Sequence, residues 1–145
     1  MKNNNNDSEL VITKQIYAAI IEGNAEEVKT LIKGNPAHLY EDVVTGSWLH
    51  LAVRENQLEI VKWLIDFGLD VNVANKNRGG TALSIAAQEG HYEMVKYLLK
   101  RGANVNFEPP HPYKDVLFSA ILSGNKEVVQ LLIDHGVDTT IRYFE

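Results

Sequence analysis

The feature that most constrains this chain is a recurring step of 34 residues. Gly68, Gly102 and Gly136 follow it, as do Ala52, Ala86 and Ala120, and Glu59, Glu93 and Glu127. A looser copy lies 33 residues upstream of the second, aligning Ala19 with Ala52, Glu26 with Glu59 and Leu31 with Leu64. Self-similarity at this period is the mark of a solenoid or array, in which each repeat is one small supersecondary unit. Four units fill most of the 145 residues.

Each unit reads as two antiparallel helices and a turn. In the second, Ser47 suits a helix N-cap, SWLHLAVREN the first helix, and EIVKWLIDFG a second helix closed by Gly68. Ile60, Val61, Leu64 and Ile65 line one face of that second helix. Met94, Val95, Leu98 and Leu99 repeat the pattern, followed by Val128, Val129, Leu132 and Ile133. A single hairpin cannot bury such a face, so the units must stack and form a row of interfaces. Ala52, Ala86 and Ala120 are small enough to let the first helices approach closely. The first unit has Glu27 where the inner units have Ile60 and Met94, which marks it as a cap meeting water. Lys126 and Gln130 supply a polar outer surface for the last unit.

The expected architecture is an all-α solenoid of about four helix-turn-helix repeats with extended turns, at 14–46, 47–80, 81–114 and 115–145. The domain is expected over 10–145, with Leu10, Val11 and Ile12 covering the first helix. The Asn-rich segment 1–9 is expected to be a disordered tail.

Charge narrows the partner. Fourteen Lys and Arg against nineteen Asp and Glu give a net charge of −5, which disfavours sequence-independent binding to nucleic acid and favours a basic protein surface. Cysteine is absent, so disulfides and thiolate metal sites are excluded, in keeping with a reducing compartment. No segment approaches the roughly 20 apolar residues of a membrane span or resembles a secretory signal. The expectation is a cytoplasmic protein that does not bind membranes and is a monomer when free.

Motifs that carry chemistry are weak. His38, His50, His91, His111 and His135 do not recur at ligand spacing on one helix face, so no metal site is expected. Asp70-Val71-Asn72 opens like a calcium loop, but Ala74 and Thr81 stand where ligands belong. Gly79-Gly80 lacks the Lys of a phosphate loop, and no nucleophile elbow is present. No cofactor and no catalytic residue is expected. Trp63, Tyr97 and Leu131 share one repeat position and read as core rather than as a stacking stripe.

The second and third units, SWLHLAVRENQLEIVKWLIDFGLDVN and TALSIAAQEGHYEMVKYLLKRGANVN, resemble the ankyrin repeat, with its Thr-Pro-Leu-His opening, Leu-Ala-Ala core and Gly-Ala-Asp-Val-Asn close. Trp48 and Ala82 stand where that pattern has Pro, and Ser84 and Phe118 where it has His. The resemblance implies that His50 hydrogen-bonds neighbouring backbone and that His91 does likewise. It further implies a non-catalytic module that binds another protein on the concave side of the stack, formed by first-helix ends and turn tips.

Matching the family's variable positions picks out Arg54, Glu55, Gln88, Glu89, Leu122 and Ser123 at the helix ends. In the turns it picks out Val43, Val44 and Gly46, then Asn77, Arg78 and Gly80, then His111, Pro112, Tyr113 and Lys114. Two places depart from the repeat toward larger or stiffer groups and are candidate anchors. One is Trp48, which serves equally well as a brace for its helix start. The other is the Pro-rich stretch from Phe107 to Tyr113. Small size and net acidity are also similar to stand-alone ankyrin proteins that act as immunity partners of bacterial toxins, which implies inhibition by occlusion. Two alternatives stay open: a small enzyme or metal-dependent regulator, and a structural fragment that self-associates through Tyr143 and Phe144.

Overall fold

The structure, a computed structural model, describes residues 4–77, 80–107 and 115–140. Among these residues the chain forms four helical hairpins. They pair α1 (Asn4–Glu22) with α2 (Ala25–Gly34), α3 (Trp48–Arg54) with α4 (Leu58–Phe67), α5 (Ala82–Glu89) with α6 (Tyr92–Lys100), and α7 (Val116–Ser123) with α8 (Lys126–Asp134). A 3₁₀ turn over Pro36–Tyr40 and a two-residue hairpin, β1 (Asp42–Val43) with β2 (Gly46–Ser47), join the first pair to the second. The strands run antiparallel, with Asp42 opposite Ser47 and Val43 opposite Gly46.

Local chemistry starts each first helix at the repeat step. Ser47, Thr81 and Asp115 are the N-caps of α3, α5 and α7. The Asp115 carboxylate accepts the Phe118 amide at 2.6 Å. The Thr81 hydroxyl accepts the Ser84 amide at 3.3 Å, while the Ser84 hydroxyl accepts the Thr81 amide at 2.9 Å. These bonds satisfy donors that a helix start leaves unpaired. The first helices end on one left-handed residue, Asn56 (φ 56°), Gly90 (φ 70°) or Gly124 (φ 69°), a conformation that glycine adopts freely and asparagine tolerates.

The hairpins stack in sequence order. Helix α1 packs on α3, α3 on α5 and α5 on α7, while α2 packs on α4 and α6 on α8. Ala52, Ala86 and Ala120 lie fully buried between the first helices. In the second helices Ile60, Met94 and Val128 are buried, and the equivalent Glu27 is exposed. The first repeat therefore turns a charged position to water where its successors bury an apolar one. At the other end Val128 and Leu132 are buried but Ile133 is 44% exposed, because no described repeat follows to cover it. Trp63, Tyr97 and Leu131 are partly buried and packed against the core.

The turns are tied to one another by asparagines. Asn72 donates to the Gly102 carbonyl at 3.2 Å and accepts the Asn104 amide at 2.7 Å. One repeat on, Asn106 donates to Gly136 at 3.2 Å and accepts the Asp138 amide at 2.7 Å. The helical start differs from the sequence expectation. Helix α1 begins at Asn4, inside the segment 1–9 expected to be disordered, and its residues from Asn6 to Val11 are exposed. Those first turns continue the hydrogen-bond ladder of a helix anchored further on by buried Ile16, Ala19 and Ile20, and propagation costs little once a helix is nucleated.

Candidate partner-binding face

Trp48 requires a correction. It is fully buried, and its indole N–H donates to the His38 carbonyl at 2.7 Å. The polar edge of the ring is used up inside the protein, so Trp48 braces the start of α3 and does not reach a partner. Its neighbour His50 is also buried, at 1% exposure. The His50 Nδ1 accepts the Ser47 amide at 3.1 Å, and Nε2 lies 3.1 Å from the Val73 carbonyl. Burial lowers its pKa, an effect opposed by the bond to Val73 and reinforced by the charge of Arg54. The ring is therefore held neutral, with its Nε2–H donated to the turn. His91 bridges repeats in the same manner, its Nε2 lying 3.2 Å from the Arg54 carbonyl. Both histidines hold backbone.

The ends of the first helices carry the exposed side chains. Arg54 is half-buried at the end of α3 and makes no ion pair among the described residues. Glu55, Gln88 and Glu89 are exposed. Leu122 is 62% exposed and the adjacent Ile121 57%, an apolar end to a polar row. Asn77 is exposed, and its amide donates to the Asn75 side chain at 2.9 Å. Val44 is exposed at the hairpin tip, whereas Gly46 and Gly80 are buried. Arg78, His111, Pro112, Tyr113 and Lys114 lie outside the described residues, as do Tyr143 and Phe144.

Three of the expected residues, Arg54, Gln88 and Gly80, meet at one place. Arg54 and Gln88 line a cavity of about 420 Å³ together with Asn75, Gly80, Ser84, Ile85 and Ser119. Asn75, Ser84, Ile85 and Ser119 had no place in the sequence reading of the site. A signal for one of them was present: Ser119 stands a full repeat after Ile85, a polar residue at a position that is otherwise apolar. Ser119 is 4% exposed, and its hydroxyl makes no hydrogen bond among the described residues. The cavity thus combines the Arg54 guanidinium, the primary amides of Asn75 and Gln88 and the hydroxyls of Ser84 and Ser119, with Arg54, Gln88 and Ser119 coming from first helices of successive repeats. It offers donors to an acceptor-rich group.

Among the described residues no three His, Asp or Glu side chains gather closely enough to hold a metal ion, and no helix is long and apolar enough to cross a membrane. No curated protein matches the chain. The family model for ankyrin repeats (3 copies) does match, over 16–109 and again over 49–143. Those stretches cover most of the sequence and the described hairpins from Ile16 onward. With hairpins stacked at the 34-residue step, histidines binding backbone and a model spanning the stack, the chain belongs to the ankyrin-repeat family, whose members are generally protein-protein interaction modules.

Proposed function

We propose that this protein is a non-catalytic binder that grips one macromolecular partner on the concave side of its stack and inhibits it by occlusion, in the manner of an immunity protein. The observation that carries the reading is the row Arg54, Gln88 and Leu122. These three residues occupy one repeat position on α3, α5 and α7 and remain outside the core. A stacked array holds such a row rigid, so little entropy is lost when a partner docks. The family resemblance adds the turn residues Asn77, Arg78, His111, Tyr113 and Lys114 to the proposed partner-binding set, of which only Asn77 lies within the described residues. The net charge of −5 favours a partner with a basic surface, met in the cytoplasm by a monomer.

Affinity capture from the source cells tests this. Capture is expected to fall at least about tenfold with Gln88→Arg or Leu122→Asp and to be unchanged with Lys126→Ala on the last helix. The captured partner should lose activity when saturated, and association should slow as salt rises. Capture indifferent to both concave substitutions would refute the reading.

A further inference from the structure

We infer that the face selects an extended segment of its partner carrying one carboxylate, seated on Arg54, and one aliphatic side chain about six residues away, seated on Leu122. The inference rests on the concave face being the docking surface and adds what that surface recognises.

The row is graded in chemistry. Arg54 is a cation without an ion pair among the described residues, Gln88 an amide, and Leu122 an exposed hydrophobe beside exposed Ile121. Arg101, by contrast, is engaged by Asp66 at 2.5 Å and Tyr97 at 2.8 Å. The cation of the cavity is the one left to a ligand. Around it, the Gln88 amide and the Ser119 hydroxyl make no hydrogen bonds among the described residues and line the same space. A planar guanidinium flanked by neutral donors matches a carboxylate, which takes two parallel bonds from the fork and one more from a neighbour. A cationic side chain in the same cavity would face Arg54 without compensation.

Spacing follows from the stack. Packed helices lie about 8–10 Å apart, so the step from α3 through α5 to α7 is roughly 16–20 Å. An extended strand advances about 3.3 Å per residue, which sets five to six residues between the two anchors. The exposed Glu55 and Glu89 beside the row, with the overall negative charge, repel chains rich in acid. The segment therefore carries a single carboxylate in a neutral or basic context. Long-range steering and the short-range anchor have opposite signs, and specificity comes from meeting both.

The test is a random peptide library displayed on phage and selected on the immobilised protein. Enriched peptides are expected to share one Asp or Glu with a Leu, Ile, Val or Met five to seven positions away. Binding should fall at least about tenfold with Arg54→Gln and with Leu122→Asp, and stay unchanged with Arg101→Gln. Replacing the peptide's Glu by Gln should reproduce the Arg54→Gln loss on the intact protein, which separates recognition from any effect on folding. Peptides displaced by Gln88→Arg but lacking the acid, or indifferent to Arg54→Gln, would overturn the inference and leave the concave-face reading standing. Peptides indifferent to every substitution in the row would overturn both.

Discussion

Replacing Trp48 by Phe should cost stability without touching recognition, and its magnitude can be worked from the surroundings. The indole is fully buried and donates to the His38 carbonyl at 2.7 Å. Phe removes one of the two hydrogen bonds to that carbonyl, which still accepts the Glu41 amide at 3.3 Å, at about 0.5–1.5 kcal/mol. It is also roughly 40 Å³ smaller, and at about 24 cal/mol per Å³ of residual cavity that adds about 1 kcal/mol. The expected loss is about 1.5–2.5 kcal/mol, set against a typical total of about 5–15 kcal/mol, so the variant still folds. Urea unfolding followed by circular dichroism should show the midpoint falling by about 1 M at an m-value of about 2 kcal/mol/M. The control is Trp63→Phe: that ring is partly buried and stacks on Phe67 at 4.6 Å, and a phenyl ring preserves most of the contact, so the cost should stay under about 1 kcal/mol. A Trp48→Phe cost below about 0.5 kcal/mol, or below that of Trp63→Phe, would refute the assignment of Trp48 to the core.

Three further outcomes are expected. His50 is neutral in the fold and its pKa lies below the usual 6.5 because of burial, whereas the unfolded chain takes up a proton near 6.5; stability is therefore fully present above that value and is lost as pH falls below it, by up to about 1.4 kcal/mol per unit. Urea midpoints of wild type and His50→Gln between pH 7.5 and 5.5 should show the steeper decline in wild type, and parallel declines would refute it. Asn106→Ala removes two hydrogen bonds to the following turn and should cost about 1–2 kcal/mol, with faster hydrogen exchange at the Asp138 amide; unchanged exchange there would contradict the ladder. Asn56→Ala, at φ 56°, should destabilise by about 1 kcal/mol while Asn56→Gly is neutral or stabilising, and calorimetric midpoints in the reverse order would refute the left-handed assignment.

What could be seen beforehand, and what could not, follows from how far each property depends on neighbours. The cap at Ser47 and the buried alanines were legible because they are local choices, and the structure adds Thr81 and Asp115 as caps at the same repeat step. The start of α1 was misplaced because asparagine is a poor helix former, and composition does not reveal that a helix anchored at Ile16 and Ile20 can extend back over it. Trp48 was ambiguous for a different reason. Its burial depends on a carbonyl ten residues earlier in a 3₁₀ turn, and no periodicity reports where that turn returns. The cavity required three repeats at once, since Asn75, Ser84, Ile85 and Ser119 come together only after stacking.

One relation was written in the sequence throughout, and it explains why binding and stability separate in this fold. Ala52, Ala86 and Ala120 are buried, while Arg54, Gln88 and Leu122 stand two residues further along the same helices. Two residues turn an α-helix by about 200°, so the two rows point to nearly opposite sides. One row lets neighbouring hairpins close on each other, and the other is carried clear of that contact by the same geometry. Substitutions in the second row can therefore alter what is recognised with little effect on stacking, and each recurs at the step set by the first. The exposed row thus takes its spacing from the core, and the distance between anchors on the partner must follow the distance between helices in the stack.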